Sequence, residues 1–281
     1  MEISILGVGN MGGAICKKLL DQNNCQLSLV DPNIYNFLKS ISKSNYIKTP
    51  KAYKNLAHYA KTLNKKKAIL ILAIKPNQLF NLNEEIKPEK DISFKNFIIV
   101  SVVAGVSIST IRKIFKTDNI VRAMPNTPVN IGQGMTGIYF PKKISKKDKQ
   151  NVINIFELLG KTLIVNAEKK LHSVTALSGS GPAYFFNFLE ALLSTGKELG
   201  LSEKETLILV KQTAIGAVSL FNEAVEPVSS LRENVTSKGG TTEIALKTLR
   251  KNNFEDLILK AVIAAKKKSV TMGLELNSKI K

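Results

Sequence analysis

The run Gly7-Val8-Gly9-Asn10-Met11-Gly12 separates a strand-like segment, residues 2–6, from a helical pattern that continues to Leu20. A G-x-G-x-x-G run in this context is typical of α/β sheets that bind dinucleotides. Its first glycine permits a tight turn, its second lets a pyrophosphate approach the backbone, and its third allows the helix to pack closely on the strand. We therefore predict that Gly7, Val8, Gly9, Asn10, Met11 and Gly12, here called the glycine loop, bind a dinucleotide cofactor.

A second strand-like segment, residues 26–30, is followed directly by Asp31. An acidic residue at this point, about 20 residues beyond the glycines, can hydrogen-bond both ribose hydroxyls of NAD and would repel the 2′-phosphate of NADP. The next four residues, 32–35, contain no Arg or Lys, so we expect NADH to be preferred over NADPH. The alternative is that Asp31 only caps the following helix.

Residues 68–74 and 97–103 are continuous apolar runs of strand length. Such runs are typical of a parallel sheet that is covered on both faces. Three more strand-like segments extend the predicted sheet: residues 119–123, 136–140 and 162–165. Because strand ends line the ligand crevice in such sheets, we expect Lys75 and Gly105 to contact the cofactor.

The strand-like pattern stops after Val165, and helical patterns fill the rest of the chain. This change predicts an α/β protein of two domains, a Rossmann-type dinucleotide-binding domain at residues 1–166 and an all-α domain at residues 167–281. Apolar helices of this kind often associate with a second copy, so we expect a homodimer through the second domain. The loop at residues 122–128 contains two prolines and is more readily explained as structural than as catalytic.

A second glycine-containing stretch, Asn234-Val235-Thr236-Ser237-Lys238-Gly239-Gly240-Thr241-Thr242, precedes another helical pattern; we call it the anion loop. The first turn of a helix leaves backbone N–H groups unpaired, and the helix dipole favours negative charge there. Glycines let a ligand approach those groups, and Ser or Thr hydroxyls add hydrogen bonds. The pattern indicates a pocket for a small anion such as a carboxylate, with an ordinary capped helix as the alternative.

The composition restricts the classes of partner. The 281 residues include 41 Lys and Arg against 22 Asp and Glu, a formal net charge of +19. The lysines are scattered, with short runs at residues 65–67 and 266–268, and there is no Trp, so we do not expect nucleic-acid binding. No apolar run approaches the roughly 20 residues of a membrane span, and the first residues lack a basic signal region. Cys16 and Cys25 have no metal-ligand spacing, so we expect a cytoplasmic protein without a metal.

Several of these stretches together resemble the pyrroline-5-carboxylate reductase family. The resemblance covers the whole chain, and its last two motifs are the most specific. The matching stretches are, in order, the glycine loop, Ala73-Ile74-Lys75-Pro76, Ser101-Val102-Val103-Ala104-Gly105, Arg122-Ala123-Met124-Pro125-Asn126-Thr127-Pro128, Ala176-Leu177-Ser178-Gly179-Ser180-Gly181-Pro182-Ala183-Tyr184 and the anion loop with its helix through Leu249.

This resemblance implies a cytoplasmic, NAD(P)H-dependent enzyme that reduces 1-pyrroline-5-carboxylate to L-proline, the last step of proline biosynthesis. It also implies a homodimer in which the partner's helices complete the active site, and dimers of this family often assemble into rings of five. The cofactor-binding residues that it implies, beside the glycine loop, are Ala73, Ile74, Lys75, Pro76, Ala104, Gly105 and Asn234.

The resemblance assigns the substrate to the anion loop. The implied substrate-binding residues are Ser237, Gly239, Gly240, Thr241 and Thr242. Ser237 and the N–H groups of residues 240–242 would hold the carboxylate, and the Thr242 hydroxyl would hydrogen-bond the ring nitrogen, which makes Thr242 the expected catalytic residue. Hydride transfer to an imine yields a basic amine, so no finely tuned acid is needed.

Two departures from the family pattern and two alternative functions stay open. The family often has an asparagine shortly after Thr49-Pro50, where Lys51-Ala52-Tyr53 stands here, and an acidic residue in place of His172. A β-hydroxyacid dehydrogenase would need a lysine on the long interdomain helix, and residues 183–193 contain none. The other alternative is a non-catalytic relative that binds NAD(P) as a sensor or partner protein.

Overall fold

The computed structural model describes residues 2–22, 26–42, 49–63, 67–87, 89 and 92–279. Cys25 and the first two residues of the lysine run at 65–67 lie outside the described residues. The chain divides into two compact units: Met1–Ser180 with Ala265–Lys281, and Gly181–Ala264. The domain boundary between residues 166 and 167 stays a prediction.

The first unit is built on one eight-stranded sheet. Its strands are β1 (Glu2–Leu6), β2 (Gln26–Val30), β3 (Lys51–Tyr53), β4 (Ala68–Leu72), β5 (Phe97–Ser101), β6 (Ile120–Met124), β7 (Gly134–Tyr139) and β8 (Gly160–Val165). Its helices are α1 (Asn10–Leu20), α2 (Ile34–Ile41), α3 (Leu56–Thr62), α4 (Gln78–Ile86), α5 (Ile108–Phe115), α6 (Lys146–Glu157) and α7 (Lys170–Val174), with a 3-10 helix at Thr127–Ile131 and a π-helical turn at Thr175–Gly179.

The second unit contains α8 (Gly181–Thr195), a 3-10 turn at Lys197–Leu199, α9 (Glu203–Glu223), α10 (Val228–Asn234) and α11 (Thr241–Lys251). The last helix, α12 (Phe254–Lys279), contributes residues to both units.

The strand order is β3-β2-β1-β4-β5-β6-β7-β8, which contains the order of a Rossmann-type sheet. The first six strands in this order, from β3 at the edge through β1 to β6, pair in parallel. β7 is antiparallel to β6, and β8 is parallel to β7. The strand order reverses between β1 and β4, where Leu6 lies opposite Leu72. Ligands of such sheets bind outside the carboxyl ends of the strands at this reversal. The predicted α/β class with a Rossmann-type first part is confirmed.

Burial on both faces explains the apolar runs in the sequence. All five residues of β4 are buried. Ile69 and Ile71 pack with residues of α1, α2 and α6, whereas Leu70 and Leu72 pack with residues of α3, α4 and α5. A strand covered on both faces needs apolar residues throughout. The sequence does not predict β3, because its three residues are exposed or half-buried and form no apolar run.

The second unit is helical, as the pattern after Val165 predicts. A capping box starts α9: the Glu205 N–H donates to Ser202 Oγ, and the Ser202 N–H donates to the Glu205 carboxylate. Many large apolar side chains are exposed in the single chain; Phe185 and Phe186 of α8 are 64% and 61% exposed. Of the helices that the structure describes, none combines the length and the apolar character required to cross a bilayer.

Close backbone contacts shape the turn between β1 and α1. Gly7 has a φ of +92°, in the region that favours glycine. A methyl group on Gly12 would overlap the carbonyl oxygen of Gly7, whereas one on Gly9 would meet no protein atom within 4 Å. Packing therefore requires glycine at position 12 and does not require it at position 9.

Gly12→Ala and Gly9→Ala form a matched pair that tests this packing. We expect Gly12→Ala to lower the apparent Tm by about 5 °C or more, because the overlap with a backbone oxygen forces the turn apart. Gly9→Ala should change the Tm by no more than about 2 °C, since its methyl group enters open space. Thermal unfolding followed by circular dichroism measures both values, and equal losses in the two variants would contradict the prediction.

Candidate active site

The glycine loop exposes backbone donors at the start of α1. Gly9 caps this helix in an extended conformation, and no side chain caps it. Among the described residues, the N–H groups of Asn10 and Met11 have no hydrogen-bond acceptor. Such groups and the helix dipole together favour a phosphate, and the open space beside Gly9 leaves room for one.

The residues after β4 lie beside the glycine loop. The Ala73 N–H donates to the Leu6 carbonyl oxygen at 2.8 Å and so continues the pairing of β4 with β1. A methyl group on Gly7 would come within 2.7 Å of the Ala73 carbonyl oxygen and 2.8 Å of the Ile74 side chain. Lys75 is exposed beyond these contacts. The sheet therefore brings residues 73–76 and the glycine loop to one edge.

Asp31 is engaged with the backbone. Its Oδ2 accepts from the Val8 N–H at 3.0 Å, and its Oδ1 accepts from the Asn33 N–H at 2.8 Å. Asp31 thus fixes the glycine loop and shapes the turn before α2. It does not cap that helix, because the N-cap of α2 is Asn33 and no side chain caps it. Its carboxylate also lies at the end of β2, where ribose hydroxyls bind in this fold, so its ribose role stays a prediction.

A basic residue that the sequence pattern did not reveal directly follows the backbone partner of Asp31. β3 pairs with β2, and the Asp31 N–H donates to the Tyr53 carbonyl oxygen at 3.0 Å. The next residue, Lys54, has its Nζ 5.5 Å from the ring centre of Tyr35 on α2. The position of Lys54 could have been predicted from the strand order of this fold, which puts the residues after β3 beside the end of β2.

The loop after β5 supplies Ala104 and Gly105. Gly105 has a φ of +76° and is buried, with Ser269 and Gly273 of α12 against it. Ala104 is half-buried and is the more accessible of the two. Gly105 therefore packs the loop against α12, and Ala104 is the part of the loop that is more open to a ligand.

These loops fit a dinucleotide. Unpaired helix N–H groups, a glycine that packing does not require, and loops after β4 and β5 all lie at the carboxyl edge of the sheet. This is the edge where Rossmann-type sheets hold a pyrophosphate and its two nucleosides. The residues present can therefore hold NAD(H) or NADP(H).

In the second unit, the anion loop leads into a helix start. Gly239 has a φ of +75°, and Gly240 caps α11 in an extended conformation without a side-chain cap. The N–H groups of Thr241 and Thr242 have no acceptor in the part of the chain that the structure describes. Asn234 ends α10 and is exposed. The start of α11 therefore offers at least two backbone donors to an anion.

Contacts within the anion loop engage two further N–H groups. The Gly240 N–H donates to the Ser237 carbonyl oxygen at 3.0 Å, and a methyl group on Gly240 would overlap the Ser237 hydroxyl. The Gly239 N–H donates to the carboxylate of Glu243, which also pairs with Lys247 at 2.9 Å. The hydrogen bond from Lys247, with that from Gly239, holds the pKa of Glu243 below its usual value. The Ser237 hydroxyl therefore lies directly beside the start of the helix.

Arg122, Glu168 and His172 line one cavity with Gly105. Arg122 is 4% exposed and donates to Glu168 at 3.1 Å. The Nδ1 of His172 lies 2.9 Å from the Oγ of Ser269. Burial lowers the pKa of His172, and the nearby Arg122 charge lowers it further, so the neutral imidazole is favoured. This environment is that of a packed, hydrogen-bonded side chain.

The loop at residues 122–128 is tied to the π-helical turn. Asn126 Oδ1 accepts from the Met135 N–H at 2.8 Å, and the Asn126 amide donates to the Ser178 carbonyl oxygen at 3.2 Å. Both bonds hold backbone groups, which agrees with the structural interpretation of this loop.

Known proteins share this architecture. Residues 168–272 match the family described as "Pyrroline-5-carboxylate reductase dimerisation", and residues 2–105 match the family described as "NADP oxidoreductase coenzyme F420-dependent". A pyrroline-5-carboxylate reductase of Pasteurella multocida is 32% identical over 96% of this chain and 97% of its own length.

Two solved structures superimpose over nearly the whole chain. A Plasmodium falciparum pyrroline carboxylate reductase with NADP bound has a TM-score of 0.80 and 29% identity, covering 97% of this chain and 98% of that one. A pyrroline-5-carboxylate reductase of Coxiella burnetii has a TM-score of 0.81 and 31% identity, covering 96% and 97%. With this identity over almost the full length, the chain belongs to the pyrroline-5-carboxylate reductase family.

Proposed function

We propose that the protein reduces 1-pyrroline-5-carboxylate to L-proline with NADH or NADPH, the last step of proline biosynthesis. The observation that carries this proposal is the start of α11, where unpaired N–H groups stand beside the hydroxyls of Ser237, Thr241 and Thr242. The glycine loop at the sheet edge supports the assignment of the cofactor, and family membership supports the assignment of the substrate.

The substrate carboxylate is held by Ser237 and the N–H groups of Thr241 and Thr242, while Gly239 and Gly240 leave space for it. A carboxylate in this position gains charge-assisted hydrogen bonds and the field of the helix dipole. The Gly240 N–H, which donates to Ser237 in this structure, joins the other donors when that bond opens. The anion loop thus fixes one side of the substrate ring.

The Thr242 hydroxyl hydrogen-bonds the ring nitrogen and so fixes the orientation of the imine. The nicotinamide cofactor, when bound, supplies the hydride. The nitrogen becomes a basic amine that takes a proton readily, so a hydroxyl donor and an anion pocket suffice without a tuned acid. Correct placement of the two rings supplies much of the rate.

We propose that the cofactor is bound by the glycine loop, residues 73–76, Ala104, Gly105 and Asn234, with Asp31 on the ribose. Asp31 favours NADH because its carboxylate repels a 2′-phosphate. Lys54 brings one positive charge to the same end of the site and lessens that repulsion. Both cofactors are therefore expected to react, with NADH ahead.

The exposed apolar side chains of the second unit support a homodimer. Large exposed apolar patches mark interaction surfaces, and α8 alone exposes Phe185 and Phe186. We propose that two chains associate through this unit and that the partner's helices complete each active site. Rings of five dimers and a cytoplasmic location belong to the same proposal.

The experiment that tests this function follows NADH or NADPH oxidation by the purified protein with 1-pyrroline-5-carboxylate. We expect turnover with at least one cofactor and formation of proline. A non-catalytic relative would bind the cofactor without oxidising it. No turnover with either cofactor would overturn the proposal.

Thr242→Ala tests the contact with the ring nitrogen. We expect kcat/KM for 1-pyrroline-5-carboxylate to fall by about tenfold or more, the scale of one lost hydrogen bond at a reacting centre. Thr248→Ala, which removes an exposed hydroxyl bonded only to its own helix, is the matched control and should react normally. An unchanged kcat/KM in Thr242→Ala would remove this residue from the mechanism.

Lys54→Ala tests the basic side chain that follows β3. We expect the ratio of kcat/KM for NADH to that for NADPH to rise by about three- to fivefold, the scale of one exposed charge pair. Lys51→Ala removes the same charge farther from the ribose end, since Lys51 lies opposite Ser28 and not beside Asp31. An equal change of the ratio in both variants would show that only net charge matters.

A further inference from the structure

The last part of α12 carries three small or polar residues along one face. Ser269, Gly273 and Asn277 are four residues apart and therefore lie on one face of the helix. Ser269 and Gly273 are the buried residues of this 26-residue helix, all of which the structure describes. We call Ser269, Gly273 and Asn277 the docking face.

Two members of the docking face pack on the loop after β5, residues 102–107. An ideal Cβ on Gly105 would lie 3.3 Å from the Gly273 N and 3.4 Å from the Ser269 carbonyl oxygen. A methyl group on Gly273 would overlap the Gly105 carbonyl oxygen. The Ser269 hydroxyl is held by His172 at 2.9 Å, so the helix is fixed where it meets Gly105.

The third member, Asn277, holds the end of the same loop. Its Oδ1 accepts from the Ser107 hydroxyl at 3.1 Å and from the Thr110 hydroxyl. On the other side, the Ile108 N–H donates to Glu168 at 2.8 Å. The loop is thus fixed by α12 and by the residues that follow β8.

We propose that the docking face of α12 is a positioning surface that sets the place of Ala104 at the sheet edge, and with it the place of the nicotinamide end of the cofactor. The proposal rests on the proposed function, since it takes residues 104–105 as cofactor contacts. It assigns to Ser269, Gly273, Asn277 and His172 a role in cofactor binding that acts through this loop.

The contact between Gly105 and Gly273 makes the position of the loop sensitive to one added methyl group. Alanine is preferred over glycine inside a helix by about 1 kcal/mol, so the helix alone would favour Ala at position 273. The contact with Gly105 opposes it, and a methyl group there must push the loop or the helix aside. A misplacement of about 1 Å can reduce a reaction rate by about 100-fold, so a small displacement is measurable.

The test compares Gly273→Ala with Thr271→Ala, an exposed position on the same helix whose hydroxyl bonds only the Lys267 carbonyl oxygen. The dissociation constants of NADH and NADPH are measured by fluorescence without substrate, and KM is measured for both substrates. For Gly273→Ala we expect the dissociation constant and the KM of each cofactor to rise by about tenfold. The KM for 1-pyrroline-5-carboxylate should stay within about twofold of the wild-type value. Thr271→Ala should match the wild type.

Asn277→Asp and Asn277→Leu form a second pair, which decides the matter if Gly273→Ala does not fold. Asp keeps an acceptor oxygen for Ser107 and Thr110, whereas Leu does not. We expect Asn277→Asp to bind the cofactor as the wild type does and Asn277→Leu to bind it more weakly.

The outcomes separate this inference from the proposed function. A wild-type protein that binds neither cofactor overturns the proposed function. A wild type that binds, with Gly273→Ala and Asn277→Leu binding equally tightly, overturns the inference alone. Equal weakening in Thr271→Ala also overturns it, because helix stability would then be the cause.

Discussion

Unpaired backbone N–H groups at the starts of α1 and α11 are the feature on which the candidate site depends. In both places a glycine in extended conformation caps the helix and no side chain occupies the cap. A carboxylate or hydroxyl in that position would satisfy the donors internally, as Ser202 does at the start of α9. Without one, each helix start keeps its donors and its dipole for an external anion. We thus propose that the start of α1 binds a pyrophosphate and the start of α11 binds a carboxylate.

The chemistry that follows asks little of the side chains. Reduction of a cyclic imine needs a hydride donor, a fixed ring and an amine that takes a proton readily, so positioning carries most of the catalytic burden. This explains why His172 can be used for packing: its Nδ1 faces Ser269, and burial favours its neutral form. It also explains why so much of the first unit fixes loops, with Asp31 bonded to Val8 and Asn277 bonded to Ser107.

The sequence predicts the sheet well because parallel strands buried on both faces leave unmistakable apolar runs, as in β4. It misses β3, whose three residues are exposed or half-buried at the sheet edge. The glycine loop and the start of α11 are predictable because closely spaced glycines before a helical pattern are a local signal, and Gly7 and Gly239 have positive φ angles that favour glycine. Other contacts could not be predicted, because residue patterns do not encode how turns close or how segments far apart in sequence pack. Examples are the position of Lys54 over Tyr35, the hydrogen bond from Gly240 to Ser237 and the contact of Gly273 with Gly105.

The most direct test of the central claim compares 1-pyrroline-5-carboxylate with 1-pyrroline, which lacks the carboxylate, in the wild type and in Ser237→Ala. If the anion loop holds the carboxylate, kcat/KM for the wild type should fall by about 100-fold or more when the carboxylate is removed, the scale of two or three charge-assisted hydrogen bonds. The loss should be smaller in Ser237→Ala, because part of the pocket is already missing. Equal kcat/KM values for the two compounds in the wild type would contradict the account.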